Sequence, residues 1–237
     1  MTPSRIWPVL IASALAIAVL CALGFWQLQR LQWKGALIAE ISARQAESPI
    51  SLGAAIAGSE DIEFRKVAAD LKFLPGNEFH MLTSFDGHAG WHIITPAVSV
   101  DGFYVLVDRG AVPDELRDDA SRKMGADQPV SVLGIVRHHE MSRDYFSPDN
   151  DPKGNRWYWW DVPAMLTAAN IPQGNKVARF VLQLLPGDDA GAFPRPLPPT
   201  ANLANNHLQY AINWFALAGV LAVIAGVFLH GRRKSGA

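Results

Sequence analysis

Residues 6–25, IWPVLIASALAIAVLCALGF, carry no charged side chain. At a helical rise of about 1.5 Å per residue, a run of this length reaches about 30 Å, the thickness of a bilayer's hydrocarbon core. A transmembrane helix is therefore expected over residues 6–28, after a short tail at residues 1–5. A cleaved signal peptide is the alternative, but its apolar core ordinarily runs about 7–15 residues, and no small-x-small cleavage site precedes polar sequence here. Cys21 follows Leu20 and makes a poor lipoprotein site.

Working outward to the other end, residues 208–229 form a second uncharged run, broken in its polarity only by Gln209 and Asn213. It lies too far along the chain to be a signal, so a second span is expected over residues 207–229, followed by a basic tail at 230–237. The intervening residues 29–206 hold all 22 Asp and Glu and 17 of the 21 Lys and Arg, a net charge of −5. The tails carry only positive side chains: Arg5 on one, Arg232, Arg233 and Lys234 on the other. By the positive-inside rule both termini are expected in the cytoplasm or matrix, with the middle domain translocated. An apolar run that starts at the sixth residue is unlike an Arg-rich mitochondrial leader, which favours a bacterial plasma membrane over a mitochondrial inner one. The single cysteine excludes a disulfide framework and the CxxCH attachment of a c-type haem.

Residues 35–46 read as a helix continuing the first span, with Leu37, Ile38 and Ile41 on one side. Residues 64–73, 78–85, 91–100, 103–107 and 130–136 then read as strands between Gly, Pro and Asp punctuation. Asp101-Gly102 is a type I′ hairpin signal and suggests sequential antiparallel pairing. A short helix is expected at 163–170, a last strand at 178–185, and a stiff Pro-rich connector at 186–206. No repeat is visible, and the class is α+β: two transmembrane helices flanking one β-rich, antiparallel, barrel-like extracytoplasmic domain.

No GxSxG elbow, HExxH or Walker loop is present, so catalysis is not expected. His138 and His139 are adjacent at a strand end and point to opposite faces, which argues against a shared metal. His80, His88 and His92 lie near Asp86 without a completing Cys or spaced carboxylate, and read as surface histidines. Residues 157–160, WYWW, can fill a core on one side and offer a stacking surface on the other, with core packing the default.

The start of the second span is more informative. His207, Tyr210, Ala211 and Trp214 fall on one helical face, continued by Ala218, Ala222 and Gly226, while Ala14, Ala18 and Ala22 form a matching small-residue stripe on the first span. Packing along these stripes is expected to turn His207 toward the first helix, near Phe25, Gln29 and Trp33, with Arg30 and Lys34 at the same level. Imidazole can ligate haem iron, aromatics can flank the macrocycle, and Arg or Lys can pair with propionates. An interfacial aromatic belt bonded to lipid headgroups explains the same residues, and the pattern alone favours that plainer account.

Residues 23–34 (LGFWQLQRLQWK) and 205–215 (NNHLQYAINWF) resemble the surfeit locus protein one family, as do 90–96 (GWHIITP), 105–113 (VLVDRGAVP), Trp159-Trp160-Asp161 and Arg195-Pro196. The resemblance spans nearly the whole chain. It departs at Asp108 and Ala111, where Asn and Trp are usual, and at Asn213, where Thr is common. It implies an assembly factor for haem-copper cytochrome c oxidase with two spans and a domain outside the inner membrane. Carried over, it makes His207 the residue suspected of contacting haem iron. Gln209, Tyr210 and Trp214 match its motif on the second span, and Trp26, Gln27, Arg30 and Trp33 match on the first. The expected cofactor-binding set is therefore His207, Tyr210, Trp214, Gln29, Arg30 and Trp33, holding haem a transiently. The expected partners are subunit I of the oxidase, the haem a synthesis machinery and membrane lipid, with no nucleic acid. The rival is a cofactor-free membrane scaffold for an immature oxidase subunit. In the Arg109-Gly110 pair, glycine permits positive φ and Arg can cross-link loops, which reads as structural.

Overall fold

The computed structural model describes residues 6–58, 62–74, 76, 78–119, 128–139, 143, 145–171, 175–187, 193–198 and 205–234. These fall into two compact units, one drawn from Met1–Glu40 and Asn202–Ala237, the other from Ile41–Ala201.

The first unit is a pair of helices. Helix α1, Ile6–Ala46, is unbroken, so the expected extension past the first apolar run is observed. Helix α4, His207–Lys234, is the second long helix. Both are long and apolar enough to cross a membrane, and only 6% of the most apolar stretch of each is buried. Large apolar residues such as Ile11, Leu15, Val19, Val223 and Val227 stand more than half exposed around both, as helices solvated by lipid do.

In the second unit the strands are β1 (Ile50–Ser51), β2 (Lys66–Phe73), β3 (Phe79–Phe85), β4 (His88–Ser99), β5 (Phe103–Pro113), β6 (Val130–Arg137) and β7 (Lys176–Leu184). Strand β2 pairs antiparallel with β6 along most of its length and with the end of β4 at Leu71–Phe73, which closes the circuit β2-β6-β7-β5-β4 into a five-stranded barrel. Pairing is antiparallel as expected except at two places. Strand β1 runs parallel to β2, and β5 runs parallel to β7, the contact that completes the barrel. Strands β5 and β7 are apolar on successive residues because both faces are covered. Val105, Val107, Phe180 and Leu182 point into the barrel with Val67, Leu71 and Phe73, where helix α2 (Leu52–Ala57) adds Leu52 and Ala55. Leu106 and Val181, one residue out of phase, point outward onto Trp157, Val162 and Met165. Helix α3 (Val162–Ala168) supplies two of these. It starts where Asp161 accepts from the Ala164 amide at 3.0 Å, with Pro163 in its first turn.

The two-residue I′ turn is displaced from its expected position. Asp86 and Gly87 have φ of +49° and +82° between the paired Phe85 and His88. At Asp101-Gly102 only the glycine is left-handed, at +78°, after a turn in which the Gly102 amide bonds Ser99 O at 2.9 Å. The Pro-rich stretch 186–206 lies partly outside the described residues. Where it is described it docks on the barrel rather than standing off as a connector: Arg195 and Ala111 exchange both backbone bonds at 2.8 and 2.9 Å. Gly110, at φ +115°, allows this approach, because a Cβ there would overlap the Arg195 backbone.

Candidate functional site

The helix pair meets along a seam in which size is complementary. Phe215 of α4 lies over Gly24 of α1, where a Cβ would sit 2.7–2.9 Å from the ring. Phe25 meets Phe215 edge-on at 5.3 Å. Ala211 and Ala218 are buried, but Ala14, Ala18, Ala22, Ala222 and Gly226 are exposed. The seam therefore uses Ala211 and Ala218 of the expected α4 face together with a large-into-small contact at Gly24, while the Ala14, Ala18 and Ala22 stripe of α1 lies off it.

Polar groups fix the seam at the head of α4. His207 Nδ1 lies 2.6 Å from Gln27 Oε1, and Gln27 is buried. With a carbonyl oxygen as partner, Nδ1 carries the proton and the Nε2 lone pair is left over. Nε2 is enclosed and has no hydrogen-bond partner among the described residues. Enclosing an unsatisfied nitrogen costs about 1–3 kcal/mol. The enclosing groups must move aside before a ligand reaches it.

Of the residues expected around His207, the structure brings only part together. Gln27, outside the expected set, meets it in place of Gln29, which lies about 200° further round the helix and is exposed. Trp214 is partly buried, and Tyr210 is 54% exposed. Arg30 lies on a flank of α1 with its guanidinium over Trp26 at 5.9 Å and Trp33 at 5.3 Å, both rings about half exposed. Gln209 and Asn213 bond each other at 3.1 Å on the exposed side of α4.

A second polar group lies in the barrel unit. Asp108 is buried on β5, accepts from the Gly110 amide at 2.9 Å, and has its two oxygens 3.1 and 3.0 Å from His92 Nδ1. Burial works against both charges, but the charge and hydrogen bond of each partner outweigh it, raising the His92 pKa and lowering that of Asp108. His139 stacks on Trp160 at 3.7 Å and 6°. Burial, helped by the Arg137 guanidinium, lowers its pKa to about 3, so it is neutral.

The expected divergence of the two adjacent histidines is observed, since His138 Nδ1 bonds Glu63 at 2.9 Å while His139 stacks on Trp160. His80 and His92 are not surface groups as expected. His80 is buried with Asp118 3.8 Å and Glu78 3.7 Å away, and only His88 is exposed. Trp157 is core, meeting Phe79 edge-on at 5.6 Å. Arg109 reaches Glu78 at 2.9 Å, the cross-link expected of it. Among the described residues no three or more His, Cys, Asp or Glu are placed to hold a metal ion.

The sequence reading missed the pairing of His92 with Asp108. Ile94 stands opposite Asp108 and His92 opposite Ala111, so the two side chains meet off the facing register and a count of facing pairs does not bring them together. It likewise missed Gln27 as the partner of His207. Gln27 falls in phase with Gly24 and Leu31, a signal the sequence carries.

Comparison with known proteins places these features in one family. The SURF1 family model matches residues 14–219. A SURF1-like protein of Monosiga brevicollis is 34% identical over 229 residues, covering 90% of this chain and 84% of that protein. Surfeit locus protein 1 of Homo sapiens is 30% identical over 220 residues, covering 85% and 71%. A SURF1-like protein of Rickettsia felis is 26% identical over 221 residues, covering 90% and 93%. With matches running through both long helices and the barrel between them, this chain belongs to the SURF1 family.

Proposed function

We propose that this protein is a membrane-anchored assembly factor for cytochrome c oxidase that takes haem a as cargo at His207 and passes it to the oxidase's catalytic subunit. Family membership supports the assembly role, and the two lipid-compatible helices support a membrane location. The observation that carries the haem reading is the enclosed, unpartnered Nε2 of His207 in a seam between two apolar helices. An imidazole nitrogen is the ordinary axial donor to haem iron, and an apolar surround suits the macrocycle. The nitrogen's enclosure fits a site that opens to load and to release, as a transfer site must. On this reading the chain lies in a bacterial plasma membrane with both termini cytoplasmic and the barrel outside, which the basic tails support. No catalytic role is proposed.

The experiment is the absorption spectrum of the detergent-purified full chain, expressed with haem a synthesis, wild type beside His207→Ala. Haem a bands in the wild type that are lost in the variant support the reading. Bands in neither, with the variant still assembling oxidase, favour a cofactor-free scaffold in which the Gln27–His207 bond only clasps the helices.

A further inference from the structure

We infer that Gln27 is a positioning residue: by accepting the His207 Nδ1 proton it holds the imidazole as the Nδ1–H tautomer, aims it along the seam, and keeps the Nε2 lone pair available for iron. The inference rests on the haem reading above for its purpose, but its tautomer claim stands on the apoprotein alone.

Three observations converge. The contact is short, 2.6 Å, and it joins residues on different helices, 180 positions apart in sequence. Gln27 is buried although glutamine is seldom enclosed, and it sits where α1 turns its seam to α4. The nitrogen on the other side of the same ring is enclosed with no partner among the described residues. A free neutral histidine carries its proton mainly on Nε2, which would leave no lone pair for a metal there. Which nitrogen is protonated is set by the hydrogen bond the other makes. A fixed acceptor at Nδ1 therefore reverses the resting preference, and it does so before any ligand arrives. Metal-ligating histidines commonly donate their second N–H to a carbonyl or carboxylate, which fixes the ring and raises its donor strength.

A purely packing role for Gln27 would fill the seam without choosing a tautomer, and the two roles separate experimentally. The first measurement is nitrogen-15 NMR of histidine-labelled apoprotein in detergent at a pH where imidazole is neutral, with the His207 signals assigned by their loss in His207→Ala. The wild type is expected to show His207 protonated on Nδ1, and Gln27→Leu to show it protonated on Nε2. Protonation on Nε2 in the wild type overturns the inference, because the glutamine would then present its amide N–H to the ring. An unchanged tautomer in a folded Gln27→Leu also overturns it.

The second measurement uses haem a added to the same proteins, with binding and the ferric/ferrous potential as readouts. Loss of the Nδ1 acceptor in Gln27→Leu is expected to weaken binding by about 10- to 100-fold and to raise the potential. Gln27→Glu, a stronger acceptor, is expected to keep binding and to lower the potential, since greater donation stabilises ferric iron. Shifts in the same direction for both variants, or none for either, overturn the positioning role. Gln27→Glu keeps the test decisive if Gln27→Leu does not fold. Retention of haem by His207→Ala would instead overturn the haem reading and leave the tautomer result standing.

Discussion

At the scale of single residues, His139 has the most distinctive titration. Its pKa is about 3 in the fold against 6.5 when unfolded, so between those values the unfolded chain binds the extra proton and stability falls as pH drops. One proton is worth at most about 1.4 kcal/mol per pH unit. His139→Phe, which keeps a ring against Trp160, is expected to flatten the decline in chemical-denaturation stability between pH 6.5 and 4 relative to wild type; equal slopes would count against the burial account. His92 has the opposite sign. Its raised pKa contributes stability below about 6.5 that is lost as pH rises through the folded value. The lowered pKa of Asp108 contributes stability above about 3.8 that is lost as pH falls through its own folded value. His92→Gln is therefore expected to remove part of the alkaline decline. Gly110→Ala should be among the most damaging single changes, since it adds a Cβ at φ +115° and against the Arg195 backbone. A loss above about 2 kcal/mol is expected by denaturant titration. At this scale the sequence disclosed the place of His207 at the head of an apolar helix, a position that an interfacial aromatic belt also explains. It did not disclose the partner of His207, which the meeting of two helices distant in sequence decides, or that of His92, which meets Asp108 off the facing register.

At the scale of elements, the long helices were legible because an uncharged run long enough to cross a bilayer has few other uses. Most strands were legible because β-branched and aromatic residues recur between turn residues. Strand β1 and helix α2 were not, being too short to show a period, and the place of the two-residue turn, at Asp86-Gly87 rather than Asp101-Gly102, depends on strand ends that pairing fixes. On α4 the seam follows the expected face at Ala211 and Ala218, but on α1 it runs through Gly24 beneath Phe215 rather than through the Ala14, Ala18 and Ala22 stripe, because an alanine stripe implies close approach only where nothing else specifies contact. Gly24→Val is expected to force the Phe215 ring aside and separate the helices at the level of Gln27. The readout is a cysteine pair placed across the seam, which should cross-link in the parent and lose cross-linking in Gly24→Val; unchanged cross-linking would place the contact elsewhere. Asp161→Ala should remove the amino-terminal cap of α3 at a cost of about 1 kcal/mol, measured by thermal unfolding, and leave the helix pair untouched.

At the scale of the whole molecule, a β-rich, barrel-like domain between two spans was legible from the order of patterns. The closure was not, because the parallel contact of β5 with β7 joins strands far apart in the chain and no local signal marks it. The proposed cargo role places haem iron at the enclosed Nε2 of His207. The measurement that tests it most directly is the absorption spectrum of the purified full chain, wild type against His207→Ala, from cells making haem a. The account predicts haem a bands in the wild type that vanish in a variant that remains folded and membrane-bound. Equal bands in both, or none in either, would contradict it.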